Sequence, residues 1–567
     1  MSTPRQSAWL FGPLPDLMLG AGLLYLLFLA GLIAWGPAAR AGIPASWIAC
    51  LVLVVSGSHY GGTLLRVYEH GSERRTYRLF TTWGTAFWLL VLVAALHLPL
   101  LGSLLITLYL TWSPWHYTGQ NYGIAVMFLR RQGVAITPAA RRMLRASFVL
   151  SFLTVFLTMH FDGSTSPADP LGYRSLDGEG YRFLSLGLPT VWRSILMPIV
   201  GLGYLVSSTV AATLLVRTGG LRSFGPTALL MLTQAVWFSI PYLATTLGLS
   251  AKIPALEPTD TTSYQFYFVW VALGHAIQYL WITAYHARAH PDWRGFGRYF
   301  SKVFVFGNAV WAAPVLLLGP DLLGRPDYDF GLAMCVAAAV NLHHFMLDGA
   351  IWKLRNPRLA RVLLSRVQPQ TGAAATERSI HPRRTWIGRL AWSLAGLFCL
   401  VRIVPYIELD GRFPEALRTN DLAKAEAILD RAALYGRDSA ILRSRLANRL
   451  LESGRSARAF RDYWRSLRLH PNPEGFAKLG TLSKRRQGPD QAIHTWKKGL
   501  ELFPDDFELN RRVGLGLMEQ RRWHEAIPHL ERALTVRPED KSLRDALARA
   551  LNSARPKPVS TRPSAPS

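Results

Sequence analysis

Cysteine and acidic residues are the scarce groups in this chain of 567 residues. Its three cysteines, Cys50, Cys335 and Cys399, all lie inside apolar stretches, which indicates neither a disulfide framework nor a cysteine zinc site. Asp and Glu number 36 against 63 Lys and Arg, for a net charge of +27. In a soluble protein this excess of positive charge would suggest nucleic-acid binding. Here many of the basic residues fall between apolar segments, where they set membrane topology. We therefore expect no nucleic-acid partner.

A cleavable signal peptide is not indicated either, since the first apolar run has only Arg5 upstream and no clear small-residue cleavage site. Hydrophobic residues, in contrast, make up 50% of the chain and include 19 tryptophans, a composition typical of a membrane protein. Eleven apolar segments have the length of about 20 residues that a spanning helix needs. They lie near Leu17–Trp35, Trp47–Leu65, Phe80–Leu96, Leu100–Phe128, Leu144–His160, Val191–Val216, Ala228–Leu247, Tyr264–Tyr285, Val303–Leu318, Phe330–Trp352 and Ile387–Val404.

The eleventh segment has the weakest signal, so the sequence predicts an all-α polytopic bundle of ten or eleven spans. Residues 1–385 form the membrane domain in this interpretation, and residues 386–406 form the last candidate span and a linker.

Basic residues follow the even-numbered spans, whereas the other loops are short or acidic. By the positive-inside rule, the amino terminus is then cytoplasmic in a membrane of the bacterial inner-membrane type. If Ile387–Val404 crosses the membrane, the C-terminal third is periplasmic; if it lies on the surface, that third is cytoplasmic. Crossing is the favoured interpretation. The basic residues are Arg66, Arg74, Arg75 and Arg78; Arg130, Arg131, Arg141, Arg142 and Arg145; Arg217 and Arg222; Arg288, Arg294, Arg298 and Lys302; and Lys353, Arg355, Arg358 and Arg361.

Four spans that run in the same direction carry histidines at a similar depth. They are spans two, four, eight and ten, with His59, His116, His275 and the pair His343 and His344. At about 1.5 Å per residue, these histidines lie about 10 to 21 Å from the cytoplasmic ends. A lone histidine in a span is usually a hydrogen-bonded core residue, but four at one depth predict a shared metal or cofactor site.

The stretch "NLHHFMLDGAIWK" adds a carboxylate to these histidines. His344 and Asp348 are four residues apart, so both side chains can point into one cavity. Asp348 is expected to bind the metal or to orient a ligating histidine; the alternative is a salt bridge to Lys353 or Arg355 at the membrane surface. His343 lies about 100° round the helix, and we expect it deeper in the site or on a second ion.

Five further polar residues are predicted to orient these ligands or to contact a substrate. Gln120 follows His116 by one turn, and Gln278 and Tyr279 follow His275 on the same helical face. Glu69 and His70 are placed at the cytoplasmic mouth. The motif "SGSHYGG" surrounds His59 with small residues, which allow close helix approach.

Neutral imidazoles with one carboxylate and no cysteine suit iron or zinc, and a bis-histidine haem is a further possibility. The arrangement resembles that of the integral-membrane non-haem iron oxygenases: fatty-acid desaturases and hydroxylases, and bacterial carotene-cleaving dioxygenases. This resemblance covers at most the first 360 residues, and "HHFMLD" stands where desaturases have HxxxH and HxxHH boxes. It implies a metal that activates oxygen beside a lipid or isoprenoid substrate entering from the bilayer.

Two other functions are consistent with these patterns. A transporter or proton relay would use the same polar layer, but it requires a polar path to the outer face, and the outer halves of spans four, eight and ten are mostly apolar. A non-catalytic assembly factor would depend on the C-terminal third, with the membrane part as an anchor.

A repeat begins after Pro405, where the apolar runs stop. Ala492, Trp496, Gly499 and Pro504 recur 34 residues later as Ala526, Leu530, Ala533 and Pro538; the earlier copies are Ala459, Tyr463, Ser466 and Pro471, and then Ala425, Leu429 and Ala432. This pattern resembles the tetratricopeptide repeat (TPR). The resemblance implies that residues 411–552 form an α-solenoid of three helix pairs, preceded by a partial pair and closed by a capping helix near Ser542–Asn552.

Such a solenoid offers a groove to a peptide or a protein partner. Its many arginines and lysines hint at an acidic partner, although a solvated basic face is the favoured interpretation of these charges. Residues 553–567 are compositionally disordered.

Overall fold

The computed structural model describes residues 7–35, 43, 45–69, 76–161, 181–246, 248, 264–290, 293–320, 323–324, 326–352, 357–365 and 382–555. Within these ranges the regular structure is helical, apart from one isolated bridge between Phe161 and Leu188. The prediction of an all-α fold is therefore confirmed. The chain divides into two compact units: residues 1–171, 181–318 and 332–411, and residues 172–180, 319–331 and 412–567.

The first unit is a bundle of long helices. They are α1 Pro13–Gly20, α2 Leu23–Trp35, α3 Trp47–Glu69, α4 Leu79–His97, α5 Pro99–Arg131, α6 Pro138–His160, α7 Thr190–Ala244, α8 Tyr264–Arg288, α9 Phe296–Leu317, α10 Ala333–Ile351, α11 Pro357–Leu364 and α12 Pro382–Tyr406. Each of the eleven predicted apolar segments lies on one of these helices or on the pair α1 and α2.

Among the described residues, seven helices are long and apolar enough to cross a membrane, or eight if the bent pair α1 and α2 counts as one span. This count is lower than the predicted ten or eleven for two reasons. Helix α7 covers predicted spans six and seven, which are separated by a break at Gly220, where φ is 76°. The count also omits α5 and α8, which are 33 and 25 residues long and carry histidines and glutamines of the predicted site.

Small residues let helices α3 and α9 approach closely and so fix the position of His59. A Cβ atom added at Gly61 would lie 1.9 Å from the carbonyl oxygen of Val303, and one added at Gly307 would lie 1.9 Å from that of Gly57. No larger residue fits at either contact. The glycines of "SGSHYGG" therefore act as expected, and His59, between Gly57 and Gly61, is buried in the bundle.

The second unit is built from helical hairpins. Its helices are α13 Phe413–Arg418, α14 Leu422–Leu434, α15 Ala440–Glu452, α16 Ser456–Leu469, α17 Pro473–Gln487, α18 Pro489–Leu502, α19 Phe507–Glu519, α20 Trp523–Val536 and α21 Lys541–Ala554. The pairs α15 and α16, α17 and α18, and α19 and α20 follow the partial pair α13 and α14, and α21 closes the array. This is the predicted arrangement, although α21 runs two residues further than expected.

The repeat is visible in the packing as well as in the spacing. The four equivalent alanines, Ala425, Ala459, Ala492 and Ala526, are completely buried. Because an alanine occupies little space, it permits the close helix contacts that a solenoid of short helices needs. Five helices of this unit begin at a side-chain cap, which satisfies a backbone N–H group that would otherwise have no partner. The capping residues are Asp421, Ser439, Asn472, Asp506 and Asp540.

We expect a fragment comprising residues 411–555 to fold without the first unit, because each hairpin buries its apolar side against its neighbours. Far-ultraviolet circular dichroism of this fragment should show mostly helix with a cooperative thermal transition. A fragment ending at residue 487 keeps fewer hairpins and serves as the comparison, which should melt at a lower temperature. A disordered spectrum of the longer fragment would contradict the prediction.

Candidate metal centre

Four helices of the first unit bring histidines to one point in the bundle. His59 on α3, His275 on α8 and His344 on α10 place imidazole nitrogens within 4.8 Å of one another. A second group, formed by His116 on α5 with His344 and Asp348, meets the same limit. His344 belongs to both groups, so they form one continuous cluster. The structure thus gathers five of the six predicted ligands.

The imidazole rings of this cluster pack edge to face. The ring centroids of His59 and His344 are 4.3 Å apart, those of His59 and His275 are 4.9 Å apart, and those of His116 and His275 are 5.0 Å apart. Tyr117 stacks on His275 at 4.1 Å, and Phe345 stacks on His116 at 4.2 Å. These aromatic neighbours limit the rotation of both imidazoles.

Hydrogen bonds orient Asp348 so that one oxygen faces the histidines. Its Oδ1 accepts from the Tyr279 hydroxyl at 2.7 Å and from Thr63 Oγ1 at 3.2 Å. Its Oδ2 lies 3.3 Å from His344 Nε2 and 3.8 Å from His116 Nε2. Trp352 Nε1 in turn donates to the Tyr279 hydroxyl at 3.1 Å. A carboxylate oriented in this way can bind a metal or can hold a proton for a neighbouring imidazole.

Sequence analysis missed two residues that organise the cluster, Thr63 and Trp352. Thr63 Oγ1 lies 2.9 Å from His344 Nδ1, which directs the opposite nitrogen, Nε2, into the cluster. Each residue follows a predicted ligand by four positions: Thr63 follows His59, and Trp352 follows Asp348. That spacing places both on the same helical face as the ligand and was the available signal.

Several nitrogen atoms of the cluster are buried without a hydrogen-bond partner. They are His59 Nε2, His116 Nε2, both ring nitrogens of His275, and His344 Nε2, which is close to Asp348 but outside hydrogen-bond geometry. An unpartnered buried polar atom costs about 1–3 kcal/mol, so five such atoms in one place need an explanation. A bound metal ion would explain them, because each nitrogen would then have the ion as its partner. Ligand atoms that lie about 2.0–2.2 Å from a common ion are also close to one another, as these nitrogens are.

The other predicted residues lie around this cluster or away from it. Gln120 Nε2 donates to the backbone carbonyl oxygen of His275 at 3.2 Å and to Gln278 Oε1 at 3.3 Å, so both glutamines join α5 to α8 beside the cluster. Glu69 pairs with Lys302 at the end of α3. His70 lies outside the described residues.

His343 does not join the cluster, although it was predicted as a ligand. Its Nε2 lies 2.8 Å from Thr85 Oγ1 on α4. The rotation of about 100° between neighbouring helix positions turns the His343 side chain towards α4 and the His344 side chain towards the cluster. Because a hydrogen bond already satisfies His343, the structure offers no reason to place it on the same metal ion.

An apolar cavity of about 340 Å³ opens beside the cluster. His116, Gln120, Tyr279 and Asp348 form its polar wall, and the rest of its lining is mostly hydrophobic. Gly119 and Gly123, one turn apart on α5, also line the cavity, and a Cβ atom added at either would meet no atom within 4 Å. The volume beside the cluster thus depends on the absence of side chains there.

No protein-family model matches this chain, and no curated protein matches it. Three solved structures share low similarity, each with a TM-score of 0.21. MamA AMB-1 is 22% identical over 25% of this chain and 78% of its own length. YrrB, a TPR protein with an unusual peptide-binding site, is 16% identical over 30% of this chain and 84% of its own length. The APC/C hetero-tetramer Cut9–Hcn1 is 13% identical over 82% of this chain and 96% of the matched chain. The repeat fold is assigned here from the chain's own helices.

Proposed function

We propose that this chain is an integral membrane metalloprotein, specifically a non-haem iron oxygenase that acts on a lipid or an isoprenoid. The observation that carries the proposal is the cluster of unpartnered, buried histidine nitrogens, which lies directly against an apolar cavity. Four imidazoles and one carboxylate are nitrogen and oxygen donors that suit iron, and zinc is the main competitor.

The surface of the bundle supports the membrane assignment. Large apolar side chains point outward along its helices, among them Leu90 on α4, Leu202 on α7 and Leu397 on α12, which are 70%, 64% and 56% exposed. Exposed apolar faces of this extent are unfavourable in water and favourable in lipid. Helix α12 shows the same outward pattern as the others, which supports a crossing by the eleventh segment.

In this proposal His59, His116, His275 and His344 hold the ion, and Asp348 completes the ligand set or orients His344. Iron held by these imidazole and carboxylate groups would supply oxygen activation. The chain's own contribution is to position the metal-binding side chains and to exclude water from them. Thr63 fixes the orientation of His344, and Tyr279 fixes that of Asp348. The rings of Tyr117 and Phe345 stack on His275 and His116.

The cavity favours a lipid-soluble substrate. Trp112 and Trp115, which line it, are 46% and 42% exposed on the outside of the bundle. A substrate that enters between them from the lipid reaches His116 and Asp348 without crossing water. The apolar lining binds a hydrocarbon chain through the hydrophobic effect, and the polar wall places one part of that chain beside the ion.

Metal analysis and oxygen uptake test the proposal. The protein is purified in detergent, and its iron and zinc contents are measured. Oxygen consumption is followed with two probes: β-carotene, whose dioxygenation needs no external electrons, and oleate, which is assayed with an added electron donor. We expect stoichiometric iron, no intense haem absorption, and oxygen uptake with at least one probe. An intense haem absorption band would show that the protein binds haem and not non-haem iron. Protein without any metal would contradict the metalloprotein proposal and would favour a proton relay in the same polar layer.

Thr63 is expected to tune metal binding without being a ligand. Thr63→Val keeps the shape of the side chain but removes the hydroxyl that orients His344. Loss of such an orienting group typically weakens metal binding about 10-fold to 100-fold. Competition with a chelator on the purified variant measures this change. Thr85→Val, which removes the partner of His343, is the matched control and should leave metal affinity unchanged.

The repeat unit is proposed to bind a protein partner and to lie in the periplasm. Residues 319–331, the connection between α9 and α10, belong to the same compact unit as the repeats. The positive-inside pattern predicts that this connection lies on the outer side of the membrane. A periplasmic repeat unit agrees with both points. If the unit served only assembly, with no catalysis in the membrane, the metal and oxygen measurements would be negative.

Reporter fusions test this topology. We expect fusions after Arg142 and after Asp545 to report opposite compartments, the first cytoplasmic and the second periplasmic. A fusion after Ser365, before α12, should report the cytoplasm and acts as the internal control. If the fusions after Ser365 and after Asp545 report the same side, α12 does not cross the membrane, and the repeats are cytoplasmic.

A further inference from the structure

The segment Asp327–Phe330, with the sequence Asp-Tyr-Asp-Phe, is held by the repeats within the second unit. The Asp327 side chain is completely buried, and both of its oxygens are used. Oδ2 accepts from the backbone N–H of Ala440 at 2.9 Å, and Oδ1 accepts from the backbone N–H groups of Asp329 and Phe330 at 2.5 and 3.0 Å. Asp327 therefore both shapes the segment and attaches it to the first turn of α15.

The other three side chains of the segment each meet a different group of the repeats. Ser439 Oγ donates to Asp329 Oδ2 at 2.5 Å. The Arg437 guanidinium lies 3.7 Å from the ring centroid of Tyr328, a cation–π contact. The rings of Phe330 and His470 stack at 3.8 Å with an angle of 8° between their planes.

All of these receptor groups belong to two neighbouring turns of the solenoid. Residues 437–439 precede α15, Ala440 is its first residue, and His470 follows α16. We call residues 437–440 and His470 together the turn surface. Buried ion pairs stabilise its base: Asp438 binds Arg443 at 2.8 Å and Arg465 at 2.6 Å, and Arg443 also binds Asp462 at 3.0 Å. The turn surface, stabilised by these ion pairs, thus binds a short segment through the side chains of that segment, as peptide-binding modules do.

We propose that the turn surface is a peptide-binding site for segments in which acidic and aromatic residues alternate, and that residues 327–330 occupy it as an internal ligand. A partner protein with an Asp-aromatic-Asp-aromatic segment would compete with the internal segment for the same groups. The chemistry of the site explains this preference: a helix amino terminus and a serine hydroxyl receive the carboxylates, while a guanidinium and an imidazole receive the rings.

Competition has a predictable direction. An attached ligand acts at a high effective concentration, so weakening it should expose the site to a free peptide. The probe is a fluorescent peptide with the sequence LGRPDYDFGLA, that of residues 323–333, added to the purified full-length protein. We expect the double variant Asp329→Asn and Phe330→Ala to bind this peptide about tenfold more tightly than the wild type, or better. Asp505→Asn, which changes an exposed acid elsewhere in the repeats, should behave as the wild type does.

Changes to the receptor should have the opposite effect. Arg437→Ala and His470→Ala, each placed in the background of the double variant, should lose most of the gain in peptide affinity. A peptide in which both aspartates are asparagine and both rings are alanine should not bind the double variant. The proposal is overturned if the double variant gains no affinity, or if the receptor changes leave its affinity unaltered. Circular dichroism of each variant shows that the helices remain folded.

Discussion

His344→Ala should remove most of the bound metal from the purified protein. His344 belongs to both groups of side chains that could hold a metal ion, and its Nε2 lies 3.3 Å from Asp348 Oδ2. Loss of a residue that merely orients a ligand costs about 10-fold to 100-fold in metal affinity, so loss of this shared ligand should cost at least about 100-fold. Metal content measured after gel filtration should fall accordingly. His116→Ala and His275→Ala, which remove ligands from other helices, should act in the same direction.

His343→Ala is the sharpest control for this prediction. The residue is adjacent to His344 in sequence but bonds to Thr85 on α4, so its loss should leave metal content unchanged. His97→Ala, at an exposed helix end, should also have no effect. Asp348→Asn should reduce occupancy less than His344→Ala if the carboxylate only orients, and comparably if it binds the ion. Unchanged metal in all three ligand variants, His116→Ala, His275→Ala and His344→Ala, would contradict the assigned centre.

The sequence predicted that His59, His116, His275 and His344 lie together, because an assumed membrane topology constrains the depth of each residue. Once the direction of each span is set, the depth of His59, His116, His275 and His344 follows from the helical rise. That argument needs no knowledge of which helices touch. It cannot, however, choose between His343 and His344, since both have the same depth. Only the position of α4, which presents Thr85 to His343, makes that choice.

The same contrast between local and distant information applies to the repeats. The period and the small residues are local signals, and they predicted each hairpin of the second unit. Attachment of residues 327–330 to the turn before α15 joins positions more than 100 residues apart, and nothing in either stretch identifies the other. Buried pairs of this kind, such as Asp327 with the N–H of Ala440, depend on packing that a single sequence does not reveal.

Filling the cavity with a side chain should weaken substrate binding about tenfold or more, while the metal content stays unchanged. Gly119 and Gly123 line the cavity beside His116, and Cβ atoms at both positions point into open space. A leucine at either position adds four carbon atoms to a volume of about 340 Å³. Overlap of this kind costs a bound chain about 1–3 kcal/mol, so affinity should fall about tenfold or more. The helix itself should not suffer, since leucine is the better helix former by about 0.5–1 kcal/mol.

Quenching of tryptophan fluorescence by β-carotene measures this effect, because Trp112 and Trp115 line the same cavity. Gly119→Leu and Gly123→Leu should reduce the quenching and the oxygen uptake but should retain wild-type iron. Gly297→Leu is the matched control: this glycine also lies in a helix with no atom near its Cβ position, but it does not line the cavity. Quenching equal to that of the wild type in all three variants would show that the substrate binds elsewhere. Loss of iron in Gly119→Leu and Gly123→Leu would show that the leucines disturb the metal centre.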